Sequence, residues 1–313
     1  MVNPKLNSAI RLIALVVLLG VAVYIFILGT SDDINELKQK ISRLSAGDLI
    51  VPIGFSLTSY FLRFLRWRLI LRRLGYSLPF KIDLIYYLSG FALTMTPGKS
   101  GETIRSAFLL QAQVPIRVSL SAFVIERSFD LLIVGLLAIL LFAPVSVTLA
   151  LFIAALVAIS LVSARLAREE WQGNSSRLPK ILRIFLDAIS RASVALKPQS
   201  TVIYALLGCA AWASQGIGFF AIVGLFSQDI GVFKAISTYC AGLFIGAASL
   251  IPGGIGVTEG SLSWLLQTQG LDQNSAILSA LISRGCTLWL AVAVGCTALA
   301  AIIKGQTVAE PTT

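Results

Sequence analysis

The sequence contains no histidine and few charged residues. Of its 313 residues, 13% are charged and 57% are hydrophobic, whereas a soluble domain carries roughly a quarter charged residues. The lack of histidine removes the commonest general base and metal ligand, so neither a cofactor nor a metal is expected. The net charge of +10 does not favour nucleic acid as a partner, because the basic residues fall between long apolar spans. The composition indicates an integral membrane protein and disfavours catalysis.

Cysteine is also scarce, and the first apolar run is not expected to be a cleaved signal. Cys209, Cys240, Cys286 and Cys296 stand singly in apolar segments, without the paired spacing of disulfides or zinc sites. We interpret them as small buried hydrophobic residues. The apolar run 10–28 is longer than the core of a secretory signal, about 7 to 15 residues, and no A-x-A site follows it. It predicts a retained signal anchor.

Apolar stretches recur along nearly the whole chain, and about 20 apolar residues suffice for one helical crossing. We predict an all-α integral membrane protein with six full transmembrane helices. Their approximate bounds are 10–28, 49–71, 117–141, 145–163, 201–226 and 274–303. Proline and glycine interrupt two further stretches, 84–112 and 234–268, and these residues break helices. Each interrupted stretch predicts one discontinuous crossing or a re-entrant hairpin.

Lysine and arginine orient the chain, because short cytoplasmic loops carry an excess of them. The end of the second span is rich in arginine, and residues 164–197 hold seven basic residues. Both are expected in the cytoplasm, while the more acidic loop 30–48 is expected outside. A single crossing by 84–112 would place 164–197 outside. Two hairpins entering from opposite faces keep that loop inside, in an inverted repeat with both termini cytoplasmic.

The domain organisation follows from this pattern. We expect a single polytopic membrane domain over 1–304, with one half at about 49–141 and the other at about 201–303. Apolar and charged residues separate onto two helical faces over about 178–197, which predicts an interfacial amphipathic helix. The short polar stretch 305–313 predicts a disordered tail.

Two pairs of charged residues recur at one spacing. Glu102 precedes Arg127 by 25 residues, as Glu259 precedes Arg284, so an offset of 157 relates the pairs. Several apolar positions match at the same offset. Apolar matches arise easily by chance in membrane chains, so the charged pairs carry the inference. They indicate duplication of a unit made of a broken hairpin and the span after it.

Polar groups at membrane depth suggest what this unit does. The breaks TPGKSGE and IPGGIGVTE free backbone N–H and C=O groups from helical hydrogen bonds. Such groups are tolerated at membrane depth only where they are buried in protein or line a wet cavity. The amino ends of the half-helices favour an anion in such a cavity. An arginine within a span costs about 2.5 to 3.5 kcal/mol unless it is paired. The available partners are Glu102, Glu126, Asp130 and Glu259. These charges either only neutralise one another or also line a route for a charged headgroup.

Further basic residues surround the first break. Lys99 and Arg105 suit a phosphate, one as a mobile point charge and the other as a planar fork, although ordinary cytoplasmic charge bias explains them as well. The run RFLRWR places Arg63 and Arg66 on one face beside Trp67, which is typical of an interfacial anchor.

Four motifs, in order, carry a family resemblance. They are RFLRWRLIL (63–71), SGFALTMTPGKSGETIRSAFL (89–109), VIERSFDLL (124–132) and SLIPGGIGVTEGSLSWLL (249–266). Over about 50–303 the chain resembles the flippase-like family named for the lysylphosphatidylglycerol synthase transmembrane region. The resemblance implies a plasma-membrane protein that moves, or helps to move, a lipid between leaflets.

Candidate substrate-binding or translocation residues follow from the resemblance, with Arg284 added by the repeat and Lys99 by its position. They are Pro97, Gly98, Lys99, Gly101, Glu102, Arg105, Glu126, Arg127, Asp130, Pro252, Gly253, Gly254, Gly256, Glu259 and Arg284. Well-known members of the family carry a soluble aminoacyl-transferase domain that these 313 residues do not contain. The cargo therefore stays open between an anionic or aminoacylated phospholipid and a polyprenyl-phosphate lipid, and a lipid-modifying enzyme is a candidate partner.

Two other functions fit the sequence. A membrane-embedded enzyme acting on a lipid-linked substrate could use Glu102 and Asp130 as acid and base, but the chain lacks histidine and a metal-ligand cluster. A non-transporting membrane scaffold would need the charges only for structure. The sequence has no ATP-binding motif, so active transport would draw on ions or on a lipid gradient.

The orientation can be tested by labelling in intact cells. Ser176→Cys lies in the 164–197 loop and should resist an impermeant thiol reagent, because the arginine-rich loop stays on the side of synthesis. Ser42→Cys, in the loop expected outside, serves as the accessible control. Strong external labelling at position 176 would overturn the hairpin topology.

Overall fold

The computed structural model describes residues 34–168 and 195–308, and the regular structure in these ranges is helical. The α-helices are α1 (Ile34–Ser42), α2 (Ile50–Arg73), α3 (Phe80–Ser89), α4 (Arg105–Gln111), α5 (Ile116–Ile139), α6 (Val145–Arg168), α7 (Pro198–Val223), α8 (Val232–Ala248), α9 (Val257–Gln267), α10 (Gln273–Arg284) and α11 (Leu290–Val308). A π-helical turn, Gly285–Trp289, joins α10 to α11. The predicted all-α class is confirmed.

Three segments of the described chain are long and apolar enough to cross a membrane. They are Ala46–Arg73, Pro198–Val223 and Gln273–Lys304, and they match three of the six predicted spans. Helix α5 has 24 residues, enough to cross a bilayer, but carries charges at its centre. The predicted span 10–28 lies outside the described residues.

Two other predicted segments fall at the edges of the described ranges. Residues 178–194 of the predicted interfacial helix lie outside them. Helix α11 continues to Val308, so residues 305–308 of the predicted tail are helical. The remaining residues of the tail also lie outside the described ranges.

Glycines in α7 set the packing at the centre of the molecule. A Cβ on Gly218 would lie 3.3 Å from the carbonyl oxygen of Pro52 in α2, and one on Gly208 would meet Ile133 of α5 at 2.3 Å. Membrane helices associate through such small residues, which let backbones approach closely. As a result α7 contacts both α2 and α5, and α2 also contacts α5.

Both proline-glycine breaks interrupt helices at the predicted positions. The first chain break runs through two 3-10 turns, Gly90–Leu93 and Pro97–Ile104, and the second through Pro252–Gly254. Gly253 and Gly256 have φ of +64° and +84°, a conformation that strongly favours glycine. The turns of the two breaks contact each other. The halves of the chain therefore meet at their irregular segments.

A polar contact outside the spans ties α1 to the start of α10. Lys40 Nζ lies 2.9 Å from Glu36 and 2.5 Å from Asp272, and Asn274 donates a 2.7 Å hydrogen bond to Glu36. The hydrogen bond from Lys40 is the largest cause that holds the pKa of Glu36 below its ordinary value. Asp272 also caps α10 by accepting from the amide of Ser275 at 3.0 Å.

Candidate functional site

A cavity of about 300 Å³ lies where the two breaks meet. Helices α2, α5, α7 and α8, both breaks and the π-helical turn contribute to its wall. Its polar lining includes three arginines, Arg63, Arg127 and Arg284, and one carboxylate, Asp130. Arg127 and Asp130, at the centre of α5, thus face a cavity, which accounts for their presence in a helix of membrane-spanning length.

Asp130 is the meeting point of the charges from the first half. Its Oδ1 lies 2.5 Å from Nη2 of Arg66 and accepts a 3.1 Å hydrogen bond from the indole of Trp212. Its Oδ2 lies 3.3 Å from Arg63 and 3.0 Å from Arg127. One carboxylate from α5 therefore holds two arginines of α2, one of α5 and a tryptophan of α7. This joins three helices through a single side chain.

A second pair lies behind the cavity. Arg105 Nη2 is 2.5 Å from Glu126, and the hydroxyl of Tyr87 donates a 2.8 Å hydrogen bond to the same carboxylate. The Arg105 guanidinium also lies over the ring of Trp67, 3.8 Å from its centroid, a cation-π geometry. Arg105 is only 1% exposed and does not line the cavity. It does not present a free fork to a phosphate.

In each half of the repeat, the structure brings the glutamate and the arginine of the pair together. Glu102 Oε2 lies 3.6 Å from Arg127, and its Oε1 accepts a 2.8 Å hydrogen bond from Thr94. In the second half, Nε of Arg284 donates to Glu259 Oε1 at 3.0 Å. The expected carboxylate partners of Arg127 are confirmed for the first half, since Glu126 and Asp130 also lie within 4 Å of it, at 3.2 and 3.0 Å.

Hydrogen bonds from Glu259 and Arg284 to backbone groups stabilise the second break. Glu259 Oε2 accepts from the amide of Gly256 at 2.8 Å, and Nη2 of Arg284 donates to the carbonyl oxygen of Gly253. The glutamate therefore caps the first turn of α9 while the arginine satisfies a carbonyl freed by the break. In the second half, glycine, glutamate and arginine therefore act together to stabilise the break.

The buried charges do not balance. Among the described residues, the cluster contains five arginines (Arg63, Arg66, Arg105, Arg127 and Arg284) and four carboxylates (Glu102, Glu126, Asp130 and Glu259), which leaves one positive charge in excess when all are ionised. Two guanidinium donors also lack a hydrogen-bond partner among these residues, namely Nε of Arg63 and Nε of Arg127. An unmatched buried cation is costly, so this cavity favours an anion.

The cavity also has an apolar mouth, formed by Leu131 of α5, Phe244 of α8, and Leu250 and Ile251 just after α8. These side chains are exposed, with exposed fractions of 54%, 44%, 72% and 42%. The cavity therefore reaches from a part lined by guanidinium groups to an exposed apolar surface.

The structure sorts the residues predicted from the sequence into three groups. Those lining the cavity are Arg127, Asp130, Gly253, Gly254 and Arg284, while Glu102, Arg105, Glu126 and Glu259 lie behind it as partners. Gly101, Pro252 and Gly256 shape the breaks, and Gly101 is closely packed because an added Cβ would meet Leu93 at 2.6 Å. Pro97, Gly98 and Lys99 lie in the first break, but their side chains are outside the described part of the structure.

Sequence reasoning misassigned one motif and missed several residues. Arg63, Arg66 and Trp67 are not an interfacial anchor, since they are 3%, 0% and 1% exposed. Two arginines one turn apart inside an apolar span need buried anions, which was the available signal. The cavity residues Trp212 and Gln215 stand on α7, which contains no charged residue and so gave no comparable signal.

Removing one partner of a buried ion pair should destabilise the protein strongly, because the remaining charge stays buried without its partner. Glu126→Gln leaves Arg105 without its carboxylate and should lower the free energy of unfolding by about 3 to 5 kcal/mol. The double variant Arg105→Gln with Glu126→Gln removes both charges and should lose much less than the sum of the two single variants. Unfolding in mixed micelles measures both, and strict additivity would contradict the pairing.

Comparison with known proteins agrees with this architecture. Residues 12–295 match the model of the lysylphosphatidylglycerol synthase TM region, while a search of curated proteins finds no match. The match covers most of the chain, including every charged residue of the cavity. The membrane domains of this family are linked to lipid modification or transport. The chain is a multi-pass membrane protein that belongs to the family of the lysylphosphatidylglycerol synthase transmembrane region.

Proposed function

We propose that this protein is a flippase-like transporter of the plasma membrane that moves a lipid between leaflets without changing it chemically. The headgroup would occupy the guanidinium-lined end of the cavity while the acyl chains remain in the bilayer. The observation that carries this proposal is the continuity between Arg63, Arg127 and Arg284 at one end of the cavity and the exposed apolar mouth at the other.

The proposal includes two re-entrant hairpins in an inverted repeat, with both termini in the cytoplasm. Helix α4 has seven residues and α9 has eleven, so at 1.5 Å per residue they reach only about 10 and 16 Å, against a hydrocarbon core of roughly 30 Å. Neither crosses alone. The contact between the two breaks supports gates that approach the cavity from opposite faces.

Transport accounts for the carboxylates better than catalysis does. Glu102 and Asp130 were the candidate acid and base of a membrane enzyme. Asp130 is surrounded by three guanidinium groups and an indole N–H, and Glu102 does not line the cavity. A general base needs to reach the proton that it removes. The arrangement supports carboxylates that hold arginines in place.

Transfer in vesicles tests the function. Purified protein reconstituted with a fluorescent phospholipid should make more than half of the label accessible to an impermeant quencher over time, with the lipid mass unchanged. Arg284→Lys should slow transfer at least tenfold. The ammonium keeps the charge but cannot serve Glu259 and Gly253 together with a planar fork.

Arg72→Lys is the matched control, because Arg72 is exposed at the end of α2 and the same substitution there should leave transfer unchanged. A new lipid mass would identify an enzyme. Protein that folds and leaves the label on its original leaflet would indicate a scaffold. Either result contradicts the proposal.

A further inference from the structure

We infer that the cavity selects a lipid headgroup with one net negative charge and no ammonium group, such as a phosphodiester linked to an uncharged polyol. This inference rests on the proposed function and specifies its cargo. It separates an anionic phospholipid from an aminoacylated one, whose headgroup carries an added ammonium. Three observations on the cavity wall carry it.

The first observation is that the described residues that line the cavity include no unpaired carboxylate. Asp130 is the carboxylate in its lining, and both of its oxygens already meet cationic or N–H donors, from Arg63, Arg66, Arg127 and Trp212. An ammonium entering the cavity would face the three lining arginines and find no unpaired carboxylate among the described lining residues. Like charges brought together out of water repel strongly, so a cationic headgroup is disfavoured.

The second observation is that donors remain unused. Arg63 is 3% exposed and its Nε has no hydrogen-bond partner among the described residues, and Nε of Arg127 has none either. A guanidinium presents its N–H groups as a fork that fits phosphate oxygens. A phosphodiester contributes acceptor oxygens and no cation, so it suits a cavity wall that holds Arg63, Arg127 and Arg284.

The third observation is the size of the charge imbalance. Among the described residues, five arginines and four carboxylates leave one excess positive charge, which one phosphodiester neutralises. The cavity volume of about 300 Å³ lies at the lower end of the range for small-molecule sites, about 300 to 1,000 Å³. That space fits a headgroup, while the acyl chains leave through the apolar mouth.

Binding to the purified full chain in detergent tests the inference without transfer between leaflets. Native mass spectrometry compares phosphatidylglycerol with its lysyl ester and with phosphatidylcholine. Phosphatidylglycerol should bind at least tenfold more tightly than either. Glycerol phosphate in millimolar excess should not displace it, because a free anion lacks the chains that lie in the mouth.

One nearly isosteric substitution should remove the preference. Gln215 lines the cavity, is 5% exposed, and accepts a 2.9 Å hydrogen bond from the Tyr239 hydroxyl through Oε1. Gln215→Glu keeps that acceptor and adds one negative charge, which balances the cluster. The variant should lose at least tenfold in affinity for phosphatidylglycerol and gain affinity for the lysyl ester. Gln39→Glu, at an exposed position of α1, is the control and should change neither.

The outcomes separate this inference from the proposed function. Tight, selective binding by a protein that moves no lipid in vesicles would refute transport and support the headgroup assignment. Equal or tighter binding of the lysyl ester by the unaltered chain would overturn the assignment even if transfer occurs. Displacement by glycerol phosphate would overturn it too, because the ligand would then be a soluble anion. An unchanged preference in folded Gln215→Glu would equally count against it.

Discussion

Asp130 and the three guanidinium groups around it constrain the rest of the structure. A charge inside a membrane-spanning helix is tolerated when it is paired or faces a cavity, and here one carboxylate of α5 serves arginines on both α2 and α5. The glycines of α7 bring these helices close enough for Trp212 to complete the shell. Loss of this carboxylate would remove the ion-pair partner of Arg63 and Arg66 in a medium of low dielectric.

The two breaks solve a related problem for the backbone. Proline and glycine end the helices, and the freed groups find partners within the protein, as when Arg284 donates to the carbonyl oxygen of Gly253 and Glu259 accepts from the amide of Gly256. Arg284 therefore satisfies the backbone and also lines the cavity, while Glu259 caps α9 and holds Arg284. This dual use links stability to function, so a variant at either residue needs separate measurements of folded protein and transfer.

The sequence predicts the helical class, both breaks and the repeated glutamate-arginine pairs, because each depends on local chemistry. Proline stops a helix wherever it stands, and a buried arginine requires a nearby anion. The sequence does not predict which carboxylate pairs with which arginine. Glu126 is next to Arg127 in the chain, yet its closest cation is Arg105, at 2.5 Å against 3.2 Å. Arg63 and Arg66 were misassigned for the same reason, since their anion lies 64 to 67 residues away.

The account depends on a headgroup inside the cavity with its chains in the mouth, and photo-crosslinking measures that placement directly. Two phosphatidylglycerol probes carry a diazirine, one in the headgroup and one in an acyl chain, and mass spectrometry locates the labelled peptides. The headgroup probe should label the peptides of Thr94 and Gln215, and the chain probe those of Leu131 and Phe244. If both probes instead label only lipid-facing positions away from the cavity, such as Leu206 and Trp264, the cavity does not hold the lipid and the account is wrong.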